Sequence, residues 1–176
     1  MAPTKTDPLN LNGLSANWVM RGLYIGGQPP LGSNLARRGF NILVLCAAEI
    51  QPKSKEFPGL KKLYHAPLND YLHFEHGEQG VALRAAKVVN DEIRAGQHVL
   101  VTCHLGINRS GLVTALALHL LTGWSGQMCL DYLRKKREGA LINPFYAEYV
   151  RSLPERSRKA RNRALAKERD AWKVGS

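Results

Sequence analysis

Two kinds of hydrophobic pattern alternate along the chain, and together they predict the fold. Residues 41–45 and 99–102 are apolar without alternation, which is typical of strands covered on both faces by helices. Between them, apolar residues recur at helical spacing over 78–95, and Gly96 is a helix stop. Residues 112–121 are apolar nearly all round and predict a helix at the centre of the core. Strands that alternate with helices predict an α/β fold, with a central, mainly parallel (mixed) sheet flanked by helices.

Shorter elements complete this framework, and turn-forming residues set their ends. Pro67 is expected to end one strand, and Gly39 is expected to end a short helix. Ser125 is expected to cap a further helix. The predicted shorter elements are strands at 18–20, 23–25 and 60–66, and helices at 31–38, 125–137 and 144–150.

The chain has 176 residues, of which 44% are hydrophobic, and this predicts one domain with a sizeable core. Residues 1–15 lack a period and predict a flexible N-terminal arm. The predicted domain covers 16–152, and a basic C-terminal tail, helical or disordered, covers 153–176. We expect no transmembrane segment, because no apolar run is long enough to span a bilayer, and the polar start differs from a secretory signal.

The three cysteines, Cys46, Cys103 and Cys129, are too few and too scattered for a disulfide scaffold and lack paired metal-ligand spacing. We therefore expect a reducing, cytoplasmic setting. Cys46 and Cys129 lie in apolar patterns and are expected to pack in the core. A thiol such as Cys46 close to Cys103 would allow a protective disulfide under oxidation, but the sequence does not place it.

The chain carries a net charge of +11, which favours polyanionic partners. Residues 151–176 hold much of this charge. A solvated helix or a disordered extension is a simpler explanation of such a tail than a dedicated binding element. Trp172 is the only aromatic residue there, which gives little support to base stacking. Anionic membranes, nucleic acids and acidic proteins are all candidate contacts.

The segment between the last buried strand and the buried helix carries the candidate chemistry. Residues 103–111 have the sequence Cys-His-Leu-Gly-Ile-Asn-Arg-Ser-Gly. A loop that leaves a sheet and enters a helix points backbone N–H groups and the positive end of the helix dipole into one small concavity. The sequence therefore predicts an anion-binding loop.

The residue types of this loop suit a phosphate ligand. The N–H groups and Arg109 favour the thiolate of Cys103, which is the nucleophilic form of the side chain. The planar guanidinium of Arg109 can bind two oxygens of a tetrahedral anion, which a lysine cannot do. Gly106 allows a tight turn, and Ser110 is expected to cap the helix with its hydroxyl within reach of the sulfur.

This segment resembles the His-Cys-x5-Arg-Ser/Thr motif of the protein tyrosine phosphatase superfamily, and the short chain resembles its dual-specificity branch. The resemblance covers most of residues 17–150. In that family an aspartate that acts as general acid lies on a loop upstream of the cysteine, and Asp70 occupies that place here. The other segments that match are Leu23-Tyr24-Ile25-Gly26, His65-Ala66-Pro67-Leu68-Asn69-Asp70 and Asn143-Pro144.

The resemblance implies a two-step displacement that needs no metal and no cofactor. Cys103 would attack phosphorus while Asp70 protonates the leaving oxygen, and water activated by Asp70 would then hydrolyse the cysteinyl-phosphate. Arg109 would hold the phosphate oxygens, and Ser110 would help the thiolate to leave. The residues expected to bind the phosphate are His104, Leu105, Gly106, Ile107, Asn108 and Arg109.

One position departs from the family pattern. The residue before the nucleophile is a histidine in the family and is Thr102 here. A threonine hydroxyl can hydrogen-bond nearby backbone but cannot carry charge. We therefore predict that the Cys103 thiol ionises less readily than in relatives with the histidine. The same departure keeps a pseudophosphatase, which binds phosphate without turnover, as a rival interpretation.

The loop residues also bear on the substrate. Residues 105–108 are uncharged, which disfavours inositol lipids, because relatives that act on those lipids tend to place lysines there. The run Gly-Ile-Asn-Arg-Ser-Gly resembles superfamily members that remove the γ-phosphate of RNA 5′-triphosphate ends, but Asn108 as an internal brace is the simpler explanation. We expect a phosphorylated protein as substrate, through phosphotyrosine and also phosphoserine or phosphothreonine, with RNA as the alternative. The sequence does not indicate an oligomeric state.

Polar residues close to Asp70 provide further candidates. Glu75 and Glu78 are fallback acids if Asp70 only forms a turn. His73 and His76 together with Glu75 have the composition of a metal site, but residues of a polar loop are more often exposed to solvent. We therefore expect no metal there.

Overall fold

One mixed sheet forms the centre of the protein. The computed structural model describes residues 9–156, and the strands within that range are β1 (Ala16–Met20), β2 (Leu23–Gly26), β3 (Ile42–Ala47), β4 (Lys62–Leu68) and β5 (Val99–Thr102). Their order across the sheet is β1-β2-β5-β3-β4. β1 pairs with β2 in the antiparallel direction, and the other neighbours pair in parallel. The predicted α/β class with a mainly parallel sheet is confirmed.

Both faces of the central strands are buried, as their unbroken apolar runs predict. Ile42 and Val44 of β3 belong to the main core cluster, whereas Leu43 and Leu45 belong to a second cluster on the opposite face. β5 divides its side chains in the same way. A fully buried side chain of this size contributes about 1.5–3 kcal/mol to folding, so a polar residue is costly on either face.

Helices cover the sheet unequally. Within the described range they are α1 (Asn34–Arg37), α2 (Glu78–Arg94), α3 (Arg109–Thr122), α4 (Gly126–Lys136) and α5 (Pro144–Arg151). α3 contacts the sheet and also packs against α2, α4 and α5, which explains why its sequence is apolar nearly all round. Ser125 caps α4 as predicted, because its hydroxyl accepts a hydrogen bond from the N–H of Met128.

Three predicted boundaries are wrong. β4 continues through Pro67, because β4 is an edge strand, where proline is tolerated in a sheet. The helix expected at 31–38 is only the single turn α1. α3 begins at Arg109, so Ser110 lies inside the first helical turn and does not cap the helix.

The two ends of the chain lie partly outside the description. Leu9, Leu11 and Leu14, from the predicted N-terminal arm, pack against the second cluster. The arm before residue 9 and the tail from residue 157 are outside the described residues, and so is the choice between a helical and a disordered tail. No helix within the described range is long and apolar enough to cross a membrane.

The parallel strands bring three chain segments to one edge of the sheet. Glu49 follows β3, Asp70 follows β4 and Cys103 follows β5. Because parallel strands have their carboxyl ends on the same side, the loops that follow them cluster there, which is where ligands bind in open α/β sheets. Gly26, at the end of the parallel strand β2, reaches the same edge.

Candidate active site

The cysteine loop (residues 103–110) consists of the connection between β5 and α3 and the first two residues of α3. Cys103 is only 5% exposed. Its Sγ accepts a hydrogen bond from the backbone N–H of Gly106 at 3.3 Å and lies 3.3 Å from Oγ of Ser110. Hydrogen bonds from such donors stabilise negative charge on sulfur. The predicted reach of Ser110 to the sulfur is therefore confirmed, although Ser110 is not a helix cap.

The peptide carbonyls of residues 104–108 are all bound by groups that lie outside the concavity. The donors are the N–H of Gln28 for His104, the side chain of Arg137 for Leu105 and Gly106, the N–H of Leu141 for Ile107 and the N–H of Leu112 for Asn108. A trans peptide points its C=O and its N–H in opposite directions. The N–H groups that follow these carbonyls therefore face the concavity, an arrangement that can bind an anion.

Gly106 packs closely against the backbone at the end of β2. Its φ is +73°, in the left-handed region that favours glycine. A Cβ at this position would lie 2.3 Å from the carbonyl carbon of Gly26 and 2.5 Å from the nitrogen of Gly27. The cysteine loop therefore needs glycine at 106, and it lies directly on the end of β2.

Arg109 is buried, and one part of its guanidinium is anchored. Nη1 donates to the carboxylate of Glu49 and, at 3.4 Å, to the carbonyl of Leu68. Burial alone would lower the pKa of Arg109, but the bond to Glu49 and the charges of Cys103 and Asp70 raise it. The buried Nε has no hydrogen-bond partner among the described residues. The guanidinium is thus fixed on one side and keeps a donor for a ligand.

Glu49 is a site residue that the sequence alone does not single out. Its hydrogen bond with Arg109 lowers its pKa, so the carboxylate form is favoured beside the guanidinium. The signal that points to it is positional, because Glu49 is the first acidic residue beyond the carboxyl end of β3. That signal has meaning only after the strand order is known.

Asp70 is brought to the cysteine loop, as predicted. Its two oxygens accept hydrogen bonds from Nδ2 of Asn108 at 2.9 Å and from Nδ2 of Asn143 at 2.8 Å. Oδ1 of Asn108 also accepts from the N–H of Asn143 at 2.9 Å. Asn108 therefore braces the site from within. The cleft has a volume of about 120 Å³, and the residues that line it are Asp70, Cys103, His104, Leu105, Ile107, Asn108, Arg109 and Ile142.

The Asp70 loop (residues 69–77) is held by buried groups behind it. Glu78 is 6% exposed and accepts hydrogen bonds from the backbone and side chain of Asn69 and from the N–H of Glu75. The hydroxyl of Tyr146 donates to the carbonyl of Asn69. Burial raises the pKa of Tyr146, and the Glu78 and Asp70 carboxylates raise it further, so the hydroxyl stays a donor. Glu78 therefore braces this loop and does not line the cleft.

Two residues lie on the inner side of Cys103. Thr102 is buried and donates its hydroxyl to the carbonyl of Val44 at 3.2 Å. Cys46 shares with Cys103 the lining of a separate cavity of about 10 Å³. Burial, and secondly the charge of Cys103, raises the pKa of Cys46 well above its ordinary value, so Cys46 is a core thiol. Cys129 is also buried, and its pKa is raised to about 12 by burial.

The polar residues of the outer Asp70 loop do not assemble a metal site. Nε2 of His73 lies 3.3 Å from a carboxylate oxygen of Glu75, and both side chains are exposed. His76 is exposed as well. Among residues 9–156 there is no group of three histidine, cysteine, aspartate or glutamate side chains that could hold a metal ion.

Comparisons with known proteins show what this fold is similar to. No protein-family model and no curated protein matches the sequence. Human DUSP28 matches with a TM-score of 0.65 and 21% identity over 86% of this chain and 95% of that chain. Tk-PTP in its active form matches with a TM-score of 0.67 and 25% identity, over 81% of this chain and 98% of that chain. PTPMT1 in complex with PI(5)P matches with a TM-score of 0.66 and 17% identity, over 88% of this chain and 99% of that chain.

These similarities define the class of the fold. The chain has the dual-specificity phosphatase-like fold of the protein tyrosine phosphatase superfamily. The resemblance noted in the sequence is therefore confirmed for the fold.

Proposed function

We propose that this protein is a cysteine-dependent phosphatase that hydrolyses phosphotyrosine in proteins, with phosphoserine and phosphothreonine as further substrates. The observation that carries the proposal is that Cys103, Arg109 and Asp70 line one cleft. They come from three places in the fold: Cys103 follows β5, Arg109 begins α3 and Asp70 follows β4. Fold similarity supports the phosphatase class. We assign the catalytic domain to 16–152.

The first step transfers the phosphoryl group to sulfur. The Cys103 thiolate forms a P–S bond as the P–O bond to the leaving group breaks, and Asp70 gives its proton to the departing oxygen. Arg109 binds phosphate oxygens through Nε and the free part of its fork, while the inward N–H groups of the loop bind the others. Each of these roles is filled by a side chain or backbone group of the chain itself.

The second step returns the enzyme to its starting state. Asp70, now a carboxylate, takes a proton from water as the water oxygen forms a new P–O bond and the P–S bond breaks. The hydroxyl of Ser110, 3.3 Å from the sulfur, stabilises the thiolate that leaves. Inorganic phosphate is the product, and the proton that Asp70 lost in the first step has been restored.

The apolar residues that line the cleft support an aromatic phosphate ester as the substrate. Leu105, Ile107 and Ile142 line it, and Leu105 and Ile142 are 63% and 64% exposed. Exposed apolar side chains beside a phosphate site favour an aryl ring over a polyanion, because they gain by covering apolar surface. Arg109 is the one lysine or arginine among the described lining residues. This charge pattern supports phosphotyrosine over an inositol phosphate.

Asn108 bears on the RNA alternative. Its amide donates to Asp70 and accepts from Asn143, which supports a bracing role that does not require an RNA substrate. Triphosphate-ended RNA therefore belongs among the test substrates as the second candidate.

A cysteine nucleophile works only as a reduced thiol, and the three cysteines are free, which supports a reducing compartment such as the cytoplasm.

The test is phosphate release in the presence of EDTA from phosphotyrosine peptide, phosphothreonine peptide and triphosphate-ended RNA. We expect Cys103→Ser to lower turnover of phosphotyrosine peptide by at least about 10⁴-fold, because the nucleophile is removed. Asp70→Asn should lower it by about 10²–10⁴-fold, because the proton donor is lost. Cys129→Ala, which removes a core thiol remote from the cleft, is the matched control and should keep turnover.

Two outcomes would overturn the proposal. Turnover that survives Cys103→Ser would exclude the thiolate mechanism. Phosphate binding by the wild type without turnover of any substrate would identify a phosphate-binding pseudophosphatase. Preferred hydrolysis of the RNA would keep the mechanism and replace the substrate.

A further inference from the structure

Arg137 contacts the cysteine loop from behind. It follows the last turn of α4 and is half-buried. Its Nε donates to the carbonyl of Gly106 at 2.9 Å, and its Nη2 donates to the carbonyl of Leu105 at 2.8 Å. Its remaining contacts are Nη1 to Oδ1 of Asn17 at 2.7 Å and Nη2 to Oγ of Ser15 at 3.0 Å. The guanidinium is thus held in one orientation by contacts on both sides.

One of these carbonyls belongs to the peptide group that contacts the nucleophile. The peptide that joins Leu105 to Gly106 presents its C=O to Arg137 and its N–H to Sγ of Cys103, at 3.3 Å. A cationic donor on the carbonyl fixes the plane of this peptide and polarises its N–H, which strengthens the bond to sulfur. Arg137 therefore acts on the nucleophile through a single peptide unit.

The position before the nucleophile does not provide this support. Thr102 has no charge, and its hydroxyl is engaged with the carbonyl of Val44. Burial lowers the pKa of Arg137, while the negative charge of Cys103 opposes that shift. An arginine side chain nevertheless remains protonated at neutral pH. Arg137 is thus a fixed positive charge behind the cysteine loop.

We propose that Arg137 is a positioning residue that sets the cysteine loop and favours the Cys103 thiolate through the Leu105–Gly106 peptide. The effect on turnover rests on the proposed phosphatase function. The effect on thiolate formation and on anion binding does not, so the two can be tested separately.

The experiment measures the alkylation rate of Cys103 by iodoacetamide against pH, with the modified residue located by peptide mass spectrometry. We expect Arg137→Gln to move the midpoint of this profile upward by about one pH unit, a roughly tenfold slower reaction below the midpoint. Arg137→Lys keeps the charge but not the fork, so it should recover part of the shift. Inorganic phosphate should protect Cys103 from alkylation less well in both variants.

Arg134→Gln is the matched control. Arg134 lies in the last turn of α4 and donates to the carbonyls of Ala140 and Leu141 at 3.1 and 2.8 Å, with no bond to the cysteine loop. A merely structural role of Arg137 would give the two glutamine variants the same profile, and that result would overturn the proposal. Asn17→Ala, which removes an outer contact of the guanidinium, should shift the profile in the same direction by less.

The outcomes separate this proposal from the proposed function. Turnover by the wild type with no change of the alkylation profile in Arg137→Gln would overturn the role of Arg137 alone. The expected alkylation shifts in a protein without turnover would overturn the phosphatase function alone. If Arg137→Gln does not fold, Arg137→Lys and Asn17→Ala carry the same measurement, and wild-type profiles in both would overturn the proposal.

Discussion

The cysteine loop and the Asp70 loop face each other across one cleft but are held in different ways. In the cysteine loop, contacts to backbone atoms dominate, and Gly106 lies directly on Gly26 and Gly27. The Asp70 loop is held largely by side chains that come from other parts of the chain: Glu78, Asn108, Asn143 and Tyr146.

This difference has a physical origin. A loop that must present several N–H groups to one anion needs a fixed backbone, and contacts to its carbonyls fix that backbone. A loop that must present one carboxylate can be held at fewer points, and here polar side chains from other elements bind its backbone and orient Asp70. Changes in the first loop should therefore affect folding and binding together, whereas changes around the second should affect proton transfer.

Among the changes that test this comparison, the largest loss of stability is expected from Gly106→Ala. A Cβ at 2.3 Å from the backbone of Gly26 cannot be accommodated without moving the loop, and the left-handed φ adds about 1–2 kcal/mol of strain. We expect a loss of about 3 kcal/mol in the free energy of unfolding, measured in urea, and a fall in turnover of about 10²-fold.

Gly139→Ala separates strain from contact. Gly139 has nearly the same φ, +75°, but a Cβ there would meet its nearest atom, Cδ1 of Ile107, at 4.0 Å. We expect a loss of about 1–2 kcal/mol and nearly normal turnover. If both alanine variants behave alike, close packing on β2 does not determine the conformation of the cysteine loop.

A smaller and more selective effect is expected from Asn108→Ala. Loss of its amide leaves one oxygen of Asp70 without its hydrogen-bond donor, so the Asp70 side chain is less well oriented towards the leaving phenolate. Proton donation should therefore weaken, and we expect kcat on phosphotyrosine peptide to be lower by about 10–100-fold. The loss should shrink for an aryl phosphate with a more acidic phenol, which needs less help from an acid. Steady-state kinetics on the two substrates measures the difference.

Asn108→Asp sharpens this experiment. The aspartate keeps an acceptor for the N–H of Asn143 but places a second carboxylate beside Asp70. We expect turnover of phosphotyrosine peptide to be lower than in the alanine variant. Equal losses on both aryl phosphates in Asn108→Ala would instead assign Asn108 to the geometry of the cysteine loop.

The smallest effect concerns Glu49, the exposed anchor of Arg109. Because the pKa of Glu49 is lower in the folded protein, its contribution to stability is complete above the unfolded pKa, about 4.3, and is lost as the pH falls through the folded value. The Glu49 side chain is 51% exposed, so screening limits the contribution to about 0.5–1 kcal/mol. Glu49→Gln should therefore destabilise the protein at pH 7 but not in strong acid.

Urea unfolding at the two pH values measures this difference. Glu148→Gln is the control, because Glu148 pairs with Arg151 at the surface and its side chain is 76% exposed. We expect that variant to match the wild type at both pH values. A loss for Glu49→Gln that persists unchanged in acid would show that its carboxylate charge is not what anchors Arg109.

The sequence by itself determined the fold class and predicted which residues of the cysteine loop lie close together. Unbroken apolar runs such as 42–45 indicate a sheet covered on both faces, because a strand with one face in water would alternate apolar and polar residues. Cys103 and Arg109 are close in the sequence and share one loop, so their proximity can be inferred from the local sequence alone.

The tertiary structure alone decided which residues complete the site. Glu49 and Arg137 lie far from Arg109 and Cys103 along the chain, and no local pattern distinguishes them from surface charges. Pro67 remains in a strand because β4 is at the sheet edge, and Ser110 is not a helix cap because α3 begins one residue earlier. Such contacts depend on the order of the strands in the sheet and on where each helix begins. These features determine the distances between residues that are far apart in the sequence.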